Sequence, residues 1–482
     1  MPEDPRPNIV FILTDDLGWA DLSSYGSGFY ETPHLDRLRE RGVAFTDAYA
    51  ACPVCSPTRA SVLTGQYPAR VNLTNWIPGN PWGKLMGVPY FEQLPGHHRT
   101  VASELREGGY QTWHVGKWHV GDQLGPRDFG FDVNVAGNGW GMPRNGYFSP
   151  WGIDGLADGP EGAYLTDRLT DEAIGLIRGR GDRPFFLHLC HYAVHTPVEA
   201  PAPLTEKYRR KAAAMGLDRL PEFEEGERMP ALHLLDRRVT RRLRQSDPAY
   251  AAMVENLDAN VGRLLAALEQ EGIAGDTLVV FTSDNGGLAT AEGSPTCNAP
   301  LSEGKGWCAE GGLRVPLIAA WPGRIPAGGT SRAPVTSPDL FPTFLEAAGL
   351  PGRPDLHRDG LSLLDAMRGG DGPERGGIFW HYPHYSNQGG TPACAVRSGR
   401  FKLIEWFEDG RVALFDLEAD PGERRDLAAT EPGTAASLHA LLRGWRRSIE
   451  AQIPEPNPLY EQMLAGAAPR PDALGRIPGD DT

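Results

Sequence analysis

The stretch Asn8-Ile9-Val10-Phe11-Ile12-Leu13-Thr14 is apolar without alternation, and it constrains the fold more than any other feature of the chain. A strand with one wet face alternates apolar and polar residues. An unbroken run belongs to a strand covered on both faces, as in a parallel sheet. Strand patterns recur at Gln111–Val115, Phe185–Cys190 and Thr277–Thr282, and helical patterns separate them. Thr32-Pro33 is expected to cap a helix that carries Leu35 and Leu38 and stops at Gly42. A short helix is expected around Val101–Arg106, and another from Thr166 through Leu169, Ala173, Ile174 and Ile177. Asp247-Pro248 opens the longest, with Met253, Val254, Leu257, Val261, Leu264, Leu265 and Leu268 on one face and Gly272 at its end. Strands alternating with helices predict an α/β sandwich, a large mixed and mainly parallel sheet with helices on both sides.

After about Gly370 the pattern changes. Ile378–Trp380, Phe401–Trp406 and Val412–Leu417 are short strands with turns such as Asp409-Gly410, followed by a helix carrying Leu438, Leu441, Leu442, Trp445 and Ile449. This predicts a small antiparallel sheet with one helix over residues 373–453, after a large α/β domain over 1–372. Residues 454–482, rich in proline and glycine, are expected to be an irregular tail.

A chain of 482 residues with a formal charge of −15 lacks the basic face that binding nucleic-acid phosphates requires. No apolar stretch approaches a membrane span. Met1–Pro7 contains no hydrophobic signal core, so the chain as written is expected in the cytoplasm, and in the periplasm or secreted only if a leader was removed. On that reading the sequon Asn72-Leu73-Thr74 is accidental. Nothing in the sequence sets the oligomeric state. Cys52-Pro53-Val54-Cys55 is a C-x-x-C, but Cys190, Cys297, Cys308 and Cys394 supply no second pair for a zinc site and imply no disulfide framework. The basic runs Lys207–Lys211 and Arg237–Arg244, with the acidic Glu222–Glu227 between them, read as solvated helix faces or a surface excursion.

Polar residues that bear chemistry follow the strands directly. Asp15-Asp16 follows the first strand, Lys117-Trp118-His119 the second, His195-Thr196-Pro197 the third and Asp284-Asn285-Gly286-Gly287 the fourth. Ligands in open α/β sheets bind beyond the carboxyl ends of the strands, so these residues are expected on one rim. Asp15, Asp16, Asp284 and Asn285 offer only oxygen, which suits a hard divalent cation, Ca²⁺ before Mg²⁺. A further run, Cys55-Ser56-Pro57-Thr58-Arg59-Ala60-Ser61-Val62-Leu63-Thr64-Gly65, reads as a helix with Ser56 as N-cap, Pro57 at the first helical position and Gly65 at its end. Cys55 then lies where orphan amides favour an anion, and Arg59 lies one turn on.

That run resembles the signature of the type I, formylglycine-dependent sulfatases of the alkaline phosphatase superfamily, with Thr58 where many members have serine. The resemblance extends through Pro7-Asn8-Ile9-Val10, Asp15-Asp16-Leu17-Gly18-Trp19, Gly116-Lys117-Trp118-His119, His195-Thr196-Pro197, Asp284-Asn285-Gly286-Gly287, Gly304-Lys305-Gly306 and Glu310-Gly311-Gly312-Leu313-Arg314-Val315-Pro316. Leu414-Phe415-Asp416-Leu417 and Asp420-Pro421 follow in the family's order. It implies an alkaline-phosphatase-like fold, with residues 1–372 catalytic, and hydrolysis of sulfate monoesters to alcohol and sulfate. Cys55 would be oxidised to formylglycine by a maturation enzyme, and one hydroxyl of its hydrate would attack sulfur. Asp15, Asp16, Asp284, Asn285 and the modified Cys55 would hold the cation. Arg59 and Lys117 would bind the hydrate and the sulfate oxygens, and His195 with Lys305 would flank the bridging oxygen, His195 as leaving-group acid. His119 would deprotonate the second hydroxyl, so that the covalent sulfate intermediate collapses. His188 and His191 are left structural.

Aromatic and polar residues suited to a sugar occur at Trp76, Trp140, His381, His384, Asn387 and Gln388. Together with the resemblance they point to an exo-acting carbohydrate sulfatase of the galactose or N-acetylgalactosamine sulfate type, turning over aryl sulfates as model substrates. The alternatives are a phosphate or phosphonate ester hydrolase of the same superfamily, and a non-catalytic sulfated-glycan-binding protein with unmodified Cys55.

Overall fold

The computed structural model describes residues 6–478. Its centre is an eight-stranded sheet. From one edge the order is Gly329–Ser331, Val43–Phe45, Leu317–Ala320, Thr277–Ser283, Asn8–Thr14, Phe185–Cys190, Gln111–Gly116 and Val133–Val135. Leu317–Ala320 runs antiparallel to both neighbours, and the remaining pairs are parallel. The pleat explains the unbroken apolar run at Asn8–Thr14. Val10 and Ile12 enter the core formed with the helices Leu165–Arg178 and Pro248–Gln270. Ile9, Phe11 and Leu13 enter the opposite core, formed with Cys55–Thr64, Val101–Glu107 and Leu340–Ala347. Both faces are dry, so neither register position tolerates a polar residue.

Asp247 caps the 23-residue helix Pro248–Gln270 as its sequence indicates, accepting from the amides of Ala249 and Tyr250. Two other expected caps differ. Thr32 precedes the helix Pro33–Glu40, but its hydroxyl is taken up by Ser23 and makes no cap bond. Asp258, reaching across from the long helix, accepts from the amides of His34 and Leu35 instead. The helix carrying Cys55 begins at Cys55 itself, with Val54 in the capping position, so Pro57 is its third residue. Ser56 Oγ accepts from the amide of Ile77, a loop that crosses the helix start and competes for the hydroxyl.

In the C-terminal region Ile378–Tyr382, Ala393–Ser398, Phe401–Trp406 and Val412–Asp416 form a four-stranded antiparallel sheet. The helix Pro432–Ser448 covers it through Leu438 and Leu442. Within the stretch expected to be irregular, Tyr460–Leu464 is a short helix anchored by the fully buried Met463. The basic run Lys207–Lys211 lies on the helix Ala202–Ala214, where Lys207 and Lys211 both pair with Glu31. The run 237–244 contains instead a strand, Arg238–Arg242, in a hairpin with Phe223–Arg228. Among the described residues no helix is long and apolar enough to cross a membrane.

Candidate active site

Sheet register brings the four strand ends together. Thr14 stands beside Ser283, and Cys190 is level with both Leu13 and Gly116. The residues that follow therefore emerge in one row. Gly116 has a positive φ of 100°, and a Cβ there would lie 1.9 Å from the Cys190 carbonyl oxygen, so only glycine lets Lys117 turn in at this level.

Three buried ion pairs occupy the row. Lys117 Nζ donates to Asp15 Oδ2 (2.6 Å) and Lys305 Nζ to Asp16 Oδ2 (2.8 Å). Arg59 Nε and Nη2 lie 2.9 and 2.7 Å from Asp284 Oδ2, while Nη1 donates to the Lys117 carbonyl (3.1 Å). Asn285 Nδ2 donates to Asp16 Oδ1 (2.8 Å). Two acceptor oxygens of this row remain buried with no hydrogen-bond partner among the described residues, Asp15 Oδ1, which has only Arg59 Nη2 at 3.9 Å, and Asn285 Oδ1. Orphaned oxygens of this kind are costly unless something cationic meets them. The set Asp15, Asp16, Asp284 and Asn285 is all oxygen, which fits a hard divalent cation. Burial, reinforced by the charges of Asp284 and Asp16, raises the Asp15 carboxyl well above its ordinary range although Lys117 opposes the shift. Asp16 is equally buried, but Lys305 and His195 outweigh the desolvation and hold it low.

Cys55 and the two histidines lie beside this row. Cys55 is buried at the helix start, and its Sγ is 3.2 Å from His119 Nδ1. His119 Nε2 donates to the Ile77 carbonyl (2.8 Å), which leaves Nδ1 as the lone-pair nitrogen facing the thiol. Burial first, and then the charge of Lys117, push His119 well below its ordinary pKa. His195 Nδ1 donates to the Thr196 carbonyl (2.8 Å), and its Nε2 is 3.0 Å from Lys305 Nζ. Burial and the neighbouring Lys305 bring His195 down to about 3. Each ring turns its acceptor nitrogen toward the site.

A cavity of about 550 Å³ opens above them, floored by Cys55, His119, His195 and Lys305. Trp76, Asn387 and Gln388 line its walls with Ile77 and Pro78, joined by Arg144 and Glu292, which the sequence did not single out. Three of the residues proposed for a sugar lie elsewhere. His384 is buried against Thr74 Oγ1 (2.8 Å), and His381 is tied to the Gln452 carbonyl (2.7 Å). Both project from strand or turn into packed surroundings, which an aromatic-and-polar composition does not distinguish from a pocket. Trp140 stands behind the wall, stacked under Arg144 at 4.7 Å.

Fold and site define a hydrolase of the open α/β kind, built to hold a tetrahedral anionic ester between buried cations and a polar nucleophile position. A family model described as "Sulfatase" matches residues 7–350, and a second, "N-sulphoglucosamine sulphohydrolase, C-terminal", matches residues 304–445. The N-acetylgalactosamine-6-sulfatase of Sus scrofa is 34% identical, over 98% of this chain and 91% of that one. A sulfatase of Formosa agariphila is 31% identical, over 91% and 88%. Among solved structures, that of Ps i-CgsB in complex with k-i-k-neocarrahexaose superposes with a TM-score of 0.71 at 28% identity, covering 91% of this chain and 92% of that one. The chain belongs to the sulfatase family. It is a sulfuric ester hydrolase that cleaves sulfate monoesters; the family generally uses a formylglycine and a divalent cation.

Proposed function

We propose that this chain is an exo-acting carbohydrate sulfatase of the galactose or N-acetylgalactosamine sulfate type, with Ca²⁺ as the preferred cation and a maturation enzyme as the partner that converts Cys55. The observation that carries the reading is the cavity itself. Its floor is the cationic row and Cys55, and its walls carry the indole of Trp76 beside the amides of Asn387 and Gln388. An indole offers a sugar ring an apolar face, and amides pair with its hydroxyls. The likeness to the pig N-acetylgalactosamine-6-sulfatase and to Ps i-CgsB in complex with k-i-k-neocarrahexaose supports the same substrate class.

Asp15, Asp16, Asp284 and Asn285, with the modified position 55, would hold the cation, which would polarise the sulfuryl group and lower the pKa of the nucleophile. Formylglycine at position 55 would supply, through its hydrate, a nucleophilic hydroxyl and a second hydroxyl for release. Three carboxylates balance Arg59, Lys117 and Lys305, so a divalent cation leaves the row two charges positive. That local excess attracts a sulfate ester in spite of the chain's net charge of −15. Arg59 and Lys117 are fixed by their carboxylates and the Lys117 carbonyl, which preorganises them for developing negative charge. His119 Nδ1 accepts the proton from position 55. On the leaving-group side His195 Nε2 and Lys305 Nζ, 3.0 Å apart, would flank the bridging oxygen, His195 as the acid and Lys305 as the charge that stabilises the departing oxygen.

The test is sulfate release from galactose 6-sulfate, N-acetylgalactosamine 6-sulfate and 4-nitrophenyl sulfate, with 4-nitrophenyl phosphate in parallel. The reading expects turnover of the aryl sulfate and of at least one sugar sulfate, with the phosphate slower. Faster turnover of the phosphate would favour a phosphate ester hydrolase, and binding of sulfated sugars without turnover by protein carrying formylglycine would favour a glycan-binding protein.

A further inference from the structure

The catalytic cavity does not end at its walls. Glu292 and Asn387 also line a second cavity of about 660 Å³, enclosed by the hairpin Phe223–Arg228/Arg238–Arg242 and by Ala473 from the C-terminal tail. Gln388 Nε2 donates to Glu292 Oε2 (3.0 Å), which steadies the shared partition. Phe223, Met229 and Leu234 give the second cavity an apolar side. Its one lining carboxylate, Glu292, is engaged by Gln388. Arg237 lines it and forms no ion pair among the described residues, whereas its neighbour Arg238 is held by Glu225. His233 Nε2 donates to Asn387 Oδ1 (3.1 Å), so Nδ1 is the lone-pair nitrogen, and it is buried with no partner among the described residues.

We infer that this second cavity is a binding subsite for the saccharide unit next to the one that loses sulfate, and that Arg237 meets an anionic substituent on that unit. The inference rests on the carbohydrate sulfatase reading and deepens it. The apolar side suits a sugar face, His233 Nδ1 accepts a hydroxyl, and an unpaired guanidinium beside them selects sulfate or carboxylate, whose planar or tetrahedral oxygens it matches in pairs. Asn387 spans both cavities, so a disaccharide would touch it from either side. The preferred substrate is then an oligosaccharide with at least two anionic groups, and a sulfated monosaccharide uses only part of the site.

Inhibition of 4-nitrophenyl sulfate hydrolysis reads this out directly. The probes are galactose 6-sulfate, a disaccharide with N-acetylgalactosamine 6-sulfate at its non-reducing end linked to glucuronate, whose second unit bears a carboxylate, and a disulfated neocarrabiose, whose second unit bears a sulfate. At least one disaccharide is expected to compete about tenfold or more better than the monosaccharide. Arg237→Ala should remove that advantage, leave inhibition by the monosaccharide unchanged, and leave 4-nitrophenyl sulfate turnover within about twofold. The probe whose advantage disappears identifies carboxylate or sulfate as the group recognised. Equal competition by all three probes in the wild type would overturn the subsite, as would a disaccharide advantage that survives Arg237→Ala. Loss of 4-nitrophenyl sulfate turnover in the wild type is a separate result that bears on the enzymatic reading and not on the subsite.

Discussion

His119→Ala separates the two halves of the catalytic cycle. His119 Nδ1 lies 3.2 Å from the reacting position, and the Ile77 carbonyl fixes its tautomer at 2.8 Å. A general base at that distance contributes roughly 10²–10⁴-fold to the step it serves, or about 2.7–5.4 kcal/mol of barrier. The step served is release, since attack on sulfur draws on the cation and on Arg59 and Lys117, which the substitution leaves in place. Rapid-quench assay of 4-nitrophenyl sulfate should therefore show about one equivalent of nitrophenol per active site, followed by a steady state lower by that factor. The fold should survive, because the loss amounts to one hydrogen bond of about 1 kcal/mol plus a small void open to the cavity. A steady-state rate within tenfold of wild type would refute the assignment. So would a uniform slowing with no burst, which would place His119 in the first step.

The same logic predicts that His195→Ala loses far more activity on a sugar sulfate than on 4-nitrophenyl sulfate, whose leaving group barely needs a proton; parallel kcat/KM measurements check this, and equal losses would reassign the acid. Exhaustive chelation should abolish activity and lower the melting temperature, with Ca²⁺ restoring both, and Asp15→Asn or Asp284→Asn should raise the cation concentration needed; unchanged melting on chelation would mean that the oxygen set is not a metal site. Away from the site, Asp258→Ala should cost about 1–2 kcal/mol in denaturant unfolding, because Asp258 caps the helix Pro33–Glu40 from outside. Burial raises the Asp258 carboxyl to about 7, above its unfolded value, so the folded state binds the extra proton between roughly pH 4 and 7. Wild-type stability relative to Asp258→Asn should accordingly fall as pH rises through that window, and a gap independent of pH would contradict the shift.

The central sheet was legible because a strand dry on both faces leaves an unbroken apolar run, as at Ile9–Leu13 and Leu278–Phe281. The strand Ala393–Ser398 was missed, since Ala-Cys-Ala-Val carries little β signal and gains its place by pairing on both sides. The hairpin at 223–242, read as solvated helix faces or a surface excursion, was not recognised as a pair of strands for a related reason. Most of Phe223–Arg228 is exposed, so burial imposes no period-two pattern on it. Residues directly after strands, such as Asp15, Lys117 and Asp284, could be placed because register fixes where a strand ends. Arg144, Glu292 and Arg237 reach their cavities from loops or a hairpin, where sequence spacing implies no direction. His381 and His384 failed for the converse reason, since a histidine beside aromatics reads alike in a packed core and in a pocket.

The account centres on position 55 as a converted nucleophile within a sulfate-binding cleft. Preparations with different degrees of conversion test this most directly. The fraction of formylglycine in the tryptic peptide of residues 42–59, which contains Cys55, is read by mass spectrometry, and 4-nitrophenyl sulfate turnover is measured on the same samples. Turnover is predicted to rise in proportion to the converted fraction and to extrapolate to zero for unmodified cysteine. Full turnover by protein with only Cys55, or none by fully converted protein supplied with Ca²⁺, would contradict it.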